Sequence, residues 1–230
     1  MRHTISSVRC EIAELQLNLY SHLFGYLALP KRKQKSSRPL PPTKPRNIEA
    51  RAREYLTPRE IKLLKAAAVK APRNGFRDYW LVSMIYAHAL RVSEACDLRW
   101  DEVDLKRGKL QVHRMKNGDA SVHFLEPDEI KALKKLREEH PDSEFVFNSQ
   151  RGGKISSRQV HTIIARAGEE AGLEVTVHPH MLRHTKGFQL AAKGADTLAI
   201  QGYFGHKAIQ HTVRYTKQDS KQSYKGFGKD

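Results

Sequence analysis

The stretch from residue 178 to residue 215 constrains this chain more than any other part of the sequence. Its spacing of apolar residues predicts three helices, at about 180–193, 196–204 and 208–217. The same stretch contains four side chains that could all face one phosphodiester, namely His180, Arg183, His206 and Tyr215. Two further pieces upstream, around residues 91 and 116, decide whether this chemical set is complete.

The charge of the chain restricts its class of partner. Its 230 residues carry a formal net charge of +16 at pH 7, with a sequence pI near 9.9. A surplus of this size indicates a polyanionic partner, of which nucleic acid is the commonest. Composition alone also suits a ribosomal or a membrane-surface protein. The length predicts one core of ordinary size, with room for a small extra element.

Cysteine use and hydropathy indicate a cytoplasmic protein without a membrane-spanning segment. The two cysteines, Cys10 and Cys96, cannot form a disulfide framework, and they fit a reducing compartment. We expect Cys96 to be a small buried side chain on a helix. The most apolar early stretch, residues 12–29, is interrupted by polar residues such as Glu14. It is therefore too polar to span a bilayer or to act as a signal peptide.

Residues 1–53 are predicted to form an N-terminal helix and a basic, proline-rich linker. The amphipathic pattern of residues 11–29 predicts a helix that packs either on the main domain or on a second protomer. Residues 30–53 combine prolines with basic residues and one acid, Glu49, so this segment should be extended. Its charge suits solvation and contact with phosphates about equally. The residues expected to contact DNA here are Lys31, Arg32, Lys33 and Lys35.

Residues 54–217 are predicted to form a mainly α-helical domain with a small antiparallel β-sheet, an α+β fold, followed by a tail at 218–230. Thr57-Pro58-Arg59-Glu60 has the pattern of a capping box with proline at the first helical position. Asn117-Gly118 predicts a tight hairpin turn. The predicted helices lie at 57–69, 76–89, from 91 onwards, 127–139 and 157–172, and the predicted strands near 110–112, 121–125 and 145–147.

Two arginines lie in apolar surroundings, unlike the surface arginines that are usual in a basic protein. Arg91 lies within Ala-Leu-Arg-Val, and Arg183 lies within Met-Leu-Arg-His. A planar guanidinium binds two non-bridging phosphate oxygens at once and remains charged. Two such groups suit the pentavalent transition state that forms when a side-chain hydroxyl attacks phosphorus.

Six positions in register resemble the tyrosine recombinases, the phage-integrase family. They are Arg91 (followed by an acid, Glu94, three residues later), Lys116 beside Asn117-Gly118, His180 and Arg183 of a His-x-x-Arg motif, His206 after Gly205, and Tyr215 nine residues further on. The similarity covers about residues 55–217 and is especially close to the short recombinases that switch bacterial fimbriae. Each motif alone is a weak signal, whereas all six positions in order are specific.

The chain departs from the family pattern in two places. Many members read Thr-Gly-Leu-Arg where this chain has His88-Ala89-Leu90-Arg91. Full-length integrases also carry a separate core-binding domain, for which residues 1–53 are too short and too rich in proline. The fimbrial-switch recombinases lack that domain as well, so DNA clamping would fall to the catalytic domain and the basic linker.

The resemblance implies a site-specific DNA recombinase and a role for each residue. Tyr215 would attack the scissile phosphate, giving a 3′-phosphotyrosyl link and a free 5′-hydroxyl. His180 would take the proton of Tyr215 or hydrogen-bond the phosphate, and Lys116 would protonate the departing 5′-oxygen. Arg91 and Arg183 would bind the phosphate, His206 would donate to a non-bridging oxygen, and Glu94 would orient the arginines. No cofactor, metal or ATP is implied.

The family reaction also implies the partners. The substrate would be double-stranded DNA, bound by four protomers that exchange strands and thereby invert, excise or integrate a segment. Accessory DNA-bending proteins would be further partners. On the predicted helix 157–172, we expect Arg158 and Arg166 to contact DNA.

Several alternatives stay open at the level of the sequence. A type IB topoisomerase would use a similar pocket as a monomer, and a DNA-binding regulator would keep the fold without catalysis. Tyr203 and Tyr224 are rival nucleophiles that lack the spacing after Gly205-His206. Lys109 and Arg114 lie on the same hairpin as Lys116, and His180 with His184 could hold a metal, although no clear third ligand follows.

Overall fold

The computed structural model describes residues 54–114 and 120–217. The predicted N-terminal helix and linker, the hairpin turn with Lys116, and the C-terminal tail lie outside the described residues. Within them the elements follow in this order: α1 Pro58–Ala68, α2 Gly75–Ala87, α3 Val92–Asp97, a 3₁₀ turn Trp100–Glu102, β1 Val103–Asp104, β2 Lys109–Val112, β3 Ser121–Phe124, α4 Pro127–Glu139, α5 Ser157–Glu170, α6 Pro179–Ala192, α7 Thr197–Phe204 and α8 Gln210–Lys217. The prediction of a mainly α-helical fold with a small antiparallel sheet is confirmed.

Helix α1 begins at the predicted capping box. The hydroxyl of Thr57 accepts from the backbone N–H of Glu60 at 3.3 Å, and the Glu60 carboxylate accepts from the Thr57 N–H at 2.7 Å. These two bonds satisfy N–H groups that have no partner inside the helix. The helix buries Ile61 and Leu64 and packs against α2 and α5.

Helix α2 ends two residues before its predicted end because the backbone reverses at Ala89. This residue has a φ of 50°, in the left-handed region that disfavours side chains with a Cβ. The Thr-Gly-Leu-Arg pattern has its glycine at this position. The turn leads directly to Arg91, which precedes α3, and it points the Ala89 carbonyl at Arg183. On α3, Cys96 is 3% exposed, as predicted.

The sheet has three antiparallel strands in the order β1-β2-β3. Leu110 on β2 pairs with Val103 on β1 and with His123 on β3. Leu110 and Val112 are buried, whereas the alternate residues of β2 are exposed. This period of two places one face of the hairpin against the core.

The prediction of a third strand at 145–147 is wrong, since β1 is the third strand. Phe145 forms a single bridge with Arg99, and the N–H of Val146 donates to the Leu98 carbonyl at 2.9 Å. Val146 and Phe147 are buried in the main core. Their apolar character therefore reflects burial, which a short run cannot distinguish from strand pairing.

Helix α6 lies between two apolar clusters. Its residues Met181 and Leu182 belong to the main core. A smaller cluster on its other side, near α7 and α8, contains Phe204 and Tyr215. The side chains of α6 between these two surfaces include Arg183, so this helix positions the candidate site. No helix of the described residues is long and apolar enough to cross a membrane.

Candidate active site

A buried carboxylate, Glu94 on α3, faces three arginines. Nη1 of Arg91 donates to its Oε1 at 2.6 Å, and Nη1 of Arg114 donates to its Oε2 at 2.8 Å. Nη1 of Arg183 lies 3.9 Å from the same Oε2. Glu94 itself is 5% exposed. One buried negative charge therefore meets three positive charges, and the surplus suits an incoming anion.

Arg183 is held by the protein on every side. It is 1% exposed and donates to the carbonyls of Ala89 and Phe204, the latter at 2.8 Å. Burial, with the nearby charges of Arg91 and Arg114, lowers the pKa of Arg183 to about 9. The site is thus short of negative charge before any ligand binds.

Arg91 and His180 lie at the open side of this group. Both line a cavity of about 470 Å³, together with Leu90, Val92, Ser93, His161 and Pro179. The Arg91 side chain is 34% exposed, unlike that of Arg183. Loss of solvent and the nearby charge of Arg183 lower the pKa of His180. Its ring is therefore neutral at pH 7 and able to accept a proton.

The ring of Tyr215 fills the smaller apolar cluster. Its centroid lies 5.2 Å from that of Phe188 and 5.4 Å from that of Phe204. The ring also lies over Gly187, where an added Cβ would come within 2.7 Å of it. Tyr215 is 2% exposed, and burial raises its pKa to about 12. Its hydroxyl is therefore covered and protonated at neutral pH.

The hydroxyl of Tyr215 lies 2.9 Å from Nδ1 of His184. Nε2 of the same ring faces Nη1 of Arg214 at 3.4 Å. Because arginine can only donate, this arrangement favours a proton on Nδ1 that points at the phenol oxygen. Burial lowers the pKa of His184 to about 3, so the ring is neutral. From the sequence, His180 was expected to take the proton of Tyr215. In the structure His184 is the histidine that contacts the phenol, and the role of His180 in proton transfer stays a prediction.

His206 follows a left-handed turn at Gly205, whose φ is 58°. Its Nδ1 lies 3.0 Å from the hydroxyl of Thr212, and its Nε2 accepts from Nη2 of Arg183 at 3.1 Å. Burial and the charge of Arg183 lower the pKa of His206 to about 3. In this arrangement His206 is neutral, and its Nε2 is occupied by Arg183.

The comparison with protein families decides the class. The model of the phage integrase family matches residues 54–222, which include all of these residues. This chain belongs to the phage integrase family. It is a tyrosine recombinase, as the six positions in register indicated.

Two curated relatives and one solved structure show the extent of this family likeness. Type 1 fimbriae regulatory protein FimE of Escherichia coli K12 is 41% identical over 73% of this chain and 87% of its own length. FimB of the same strain is 42% identical over 75% and 88%, respectively. The crystal structure of XerA recombinase superimposes with a TM-score of 0.66 and 27% identity, over 76% of this chain and 65% of that one.

The other residues that were predicted to act in this integrase-family chain lie either at a second cavity or outside the described residues. Arg158 and Arg166 line a cavity of about 540 Å³ beside α5, together with Arg73. Arg166 also donates to Asp78 at 3.1 Å. Lys116 and the linker residues lie outside the described residues. The latter are Lys31, Arg32, Lys33 and Lys35.

The two rivals of Lys116 are placed differently. Lys109 is exposed on β2, with its Nζ 5.8 Å from the ring centroid of Phe124. Arg114 is buried against Glu94, a contact that was not predicted from the sequence. The alternation along the hairpin could have indicated that Arg114 is buried, because Leu110, Val112 and Arg114 lie at every second position and share the face that turns inward.

The histidine pair on α6 does not form part of a metal cluster among the described residues. The rings of His180 and His184 lie 4.2 Å apart, centroid to centroid. No group of three His, Cys, Asp or Glu side chains in that part of the chain is arranged to hold a metal ion. The contact that His184 makes is instead with the nucleophile candidate.

Acid should destabilise this fold before its carboxylates titrate. Burial lowers the pKa values of His123, His184 and His206 to about 3, well below the ordinary 6.5. Between those values the unfolded chain binds protons that the folded chain does not, so stability is full above pH 6.5 and falls as the pH drops. We expect losses on the order of 1 kcal/mol for each histidine at pH 5.5. Urea unfolding at pH 7.5, 6.5 and 5.5 measures this.

Two glutamine variants provide the control for the acid effect. His123→Gln should reduce the pH dependence by about a third, because it removes one of the three buried rings. His140→Gln, at an exposed position at the end of α4, should leave it unchanged. Equal unfolding free energies at pH 7.5 and 5.5 in the wild-type chain would contradict the prediction.

Proposed function

We propose that this tyrosine recombinase cuts and rejoins duplex DNA with Tyr215 as its nucleophile, through a 3′-phosphotyrosyl intermediate. The observation that carries the proposal is the convergence of Arg91, Arg183, His206 and Tyr215 around α6, next to one buried carboxylate. The similarity to two fimbriae regulatory proteins favours inversion of a controlling segment over its excision or integration. Such an enzyme works in the cytoplasm, at the nucleoid.

The two arginines have complementary duties. Arg91, at the open cavity, meets the phosphate first, and the buried Arg183 provides the second guanidinium once the phosphate has entered. The pentavalent state carries two negative charges on its non-bridging oxygens, which two guanidinium groups match. Glu94 holds the Arg91 side chain in place through its 2.6 Å bond.

The phosphate also changes the state of His206. When Nη2 of Arg183 turns to the phosphate, Nε2 of His206 loses the donor that it accepts from. The neutral ring then carries its proton on Nε2 and accepts at Nδ1 from the hydroxyl of Thr212, so that Nε2 donates to a non-bridging oxygen. His206 thereby joins the site only when substrate is present.

The attack involves two proton transfers, one from the nucleophile and one to the leaving oxygen. The phenol of Tyr215 loses its proton to His180, its oxygen bonds to phosphorus, and the bond from phosphorus to the 5′-oxygen breaks. Lys116 gives a proton to that departing oxygen. Because the hydroxyl of Tyr215 faces His184 beneath the surface, DNA binding must first turn the phenol or α8 outward. The phosphotyrosyl bond conserves the energy for rejoining.

The cationic face of α5 is proposed to follow the DNA backbone away from the scissile phosphate. His161 on α5 lines the cavity with Arg91, while Arg158 and Arg166 line the neighbouring one. Guanidinium groups along one helix suit successive phosphates. The linker residues Lys31, Arg32, Lys33 and Lys35 would extend this contact. Two DNA sites with two protomers each give the proposed tetramer.

A suicide-substrate assay tests the reaction class. Nicked duplexes carrying candidate sites from beside the gene are incubated with the full chain, and the products are separated on a denaturing protein gel. A DNA-linked protein band, with the linkage mapped by mass spectrometry to the peptide containing Tyr215, is the expected result. A linkage at any other residue would overturn the assignment. Relaxation of a supercoiled plasmid without exchange between sites would indicate a topoisomerase instead.

The tetramer has a separate test. We expect that removing residues 219–230 reduces recombination between two sites more strongly than cleavage at one site. The reason is that, in this family, the segment after the nucleophile docks on a neighbouring protomer. Adduct formation on a single nicked duplex and inversion on a two-site plasmid are measured side by side. Equal losses in the two assays would argue against this role of the tail.

A further inference from the structure

The side chain of Arg114 is completely enclosed, although it is charged at neutral pH. Its Nη1 donates to Glu94, and its Nη2 donates to the carbonyl of Tyr203 on α7. Its aliphatic stem packs so closely over Gly205 that a Cβ at that glycine would collide with it. One side chain from the hairpin thus contacts the carboxylate that binds Arg91 and also the turn that precedes His206.

A second set of contacts fixes Arg114 from the side of the sheet. Its Nη2 lies 3.3 Å from Nε2 of His123 on β3. Because arginine only donates, Nε2 accepts, and Nδ1 of His123 donates to Nδ1 of His88 at 3.3 Å. Nε2 of His88 lies 3.3 Å from the carboxylate of Glu129 on α4. These contacts hold both terminal nitrogens of Arg114, whereas its buried Nε has no hydrogen-bond partner among the described residues.

We propose that Arg114 is a positioning residue for DNA cleavage, a role that rests on the proposed function above. Arg114 offsets the negative charge of the Glu94 carboxylate. The positive charges of Arg91 and Arg183 therefore remain available to the scissile phosphate. Three arginines and one carboxylate leave two positive charges, which match the two negative charges of the pentavalent state. Without Arg114, the carboxylate would offset one of the two phosphate-binding arginines.

A purely structural role for Arg114 leads to a different expectation. Withdrawing a charged group from water is costly, and a buried ion pair can often be replaced by apolar side chains without loss of stability. If Arg114 served only to fill space, methionine would preserve both the fold and the cleavage rate. In such a variant Glu94 still has Arg91 as its partner, so the carboxylate does not lose all its hydrogen bonds.

The test compares two substrates that differ in the charge of the scissile group. In a methylphosphonate one non-bridging oxygen is replaced by methyl, so the linkage is neutral and its pentavalent state carries one negative charge fewer. Single-turnover adduct formation is measured with the full chain on nicked duplexes carrying either linkage. For Arg114→Met we expect a loss of about 100-fold on the phosphate and of less than about 10-fold on the methylphosphonate. Arg114→Lys keeps the charge without the planar fork, and its losses should lie between those of Arg114→Met and the wild type.

Controls separate this role from folding and from the proposed function. Arg107→Met, at an exposed position in the turn between β1 and β2, should match the wild type on both linkages. Thermal unfolding of each variant shows whether the fold is retained, and Arg114→Lys serves if Arg114→Met does not fold. Equal losses on the two linkages, or no loss at all, would overturn the role of Arg114 alone. If the wild-type chain forms no adduct on either linkage, the proposed function is wrong, and this role is wrong with it.

Discussion

Replacing Tyr215 by phenylalanine should abolish the covalent DNA adduct while leaving the fold intact. The ring packs against Phe188, Phe204 and Gly187, and phenylalanine preserves all of these contacts. Only the hydroxyl is lost, and with it one hydrogen bond to His184, at a cost of about 1 kcal/mol in unfolding free energy. Adduct formation should fall below detection, because no other hydroxyl takes the place of the nucleophile.

Tyr203→Phe is the matched control for this variant. Tyr203 is also a largely covered tyrosine with one hydrogen bond, from its hydroxyl to the Ala87 carbonyl at 2.7 Å. It was a rival nucleophile in the sequence, and it lies 12 positions before Tyr215. The Tyr203 variant should form adduct at the wild-type rate and lose a similar amount of stability. Adduct formation by Tyr215→Phe, or its loss in Tyr203→Phe, would show that the nucleophile has been assigned wrongly.

The local features of this fold were predictable because local interactions determine them. The capping box at Thr57 and Glu60 begins α1, and Pro179 begins α6, so the sequence places both helices closely. The segment 145–147 was not predictable in the same way. Its hydrogen bonds go to the residues around Leu98, far along the chain, and no short-range pattern reports such a partner.

The site shows the same division between local and long-range information. The motifs identified Arg91, Glu94 and Arg183, whose chemistry is evident from residue type and spacing. They did not identify His184 or Arg114 as neighbours of the reacting groups. His184 meets Tyr215 across 31 positions, and Arg114 meets Glu94 across 20. For both, the partner is known only when the packing of the helices and the hairpin is known.

Replacing Arg183 by lysine should have an effect nearly as large as the loss of the nucleophile. Arg183 donates to two backbone carbonyls and still directs a guanidinium edge at His206. A lysine has one nitrogen for all of these partners, and an enclosed ammonium loses its proton more readily. We expect at least about a 1,000-fold loss in the single-turnover rate of adduct formation at saturating DNA. Unsatisfied carbonyls should also lower the unfolding free energy by about 1–3 kcal/mol.

Two further lysine variants distinguish the loss of catalysis from the loss of stability. Arg77 resembles Arg183 in its surroundings, because it binds the buried carboxylate of Asp78 and donates to the Asn148 carbonyl at 2.7 Å. Arg77 also lines the cavity of Arg158 and Arg166, so the comparison is made at saturating DNA. Under that condition Arg77→Lys should lose stability but keep the cleavage rate. Arg91→Lys, whose side chain reaches the open cavity, keeps a solvated charge there and should lose only about 10- to 100-fold in rate. If Arg77→Lys slowed cleavage as much as Arg183→Lys, the loss of rate would come from a weakened fold. The proposed binding of the scissile phosphate by Arg183 would then be wrong.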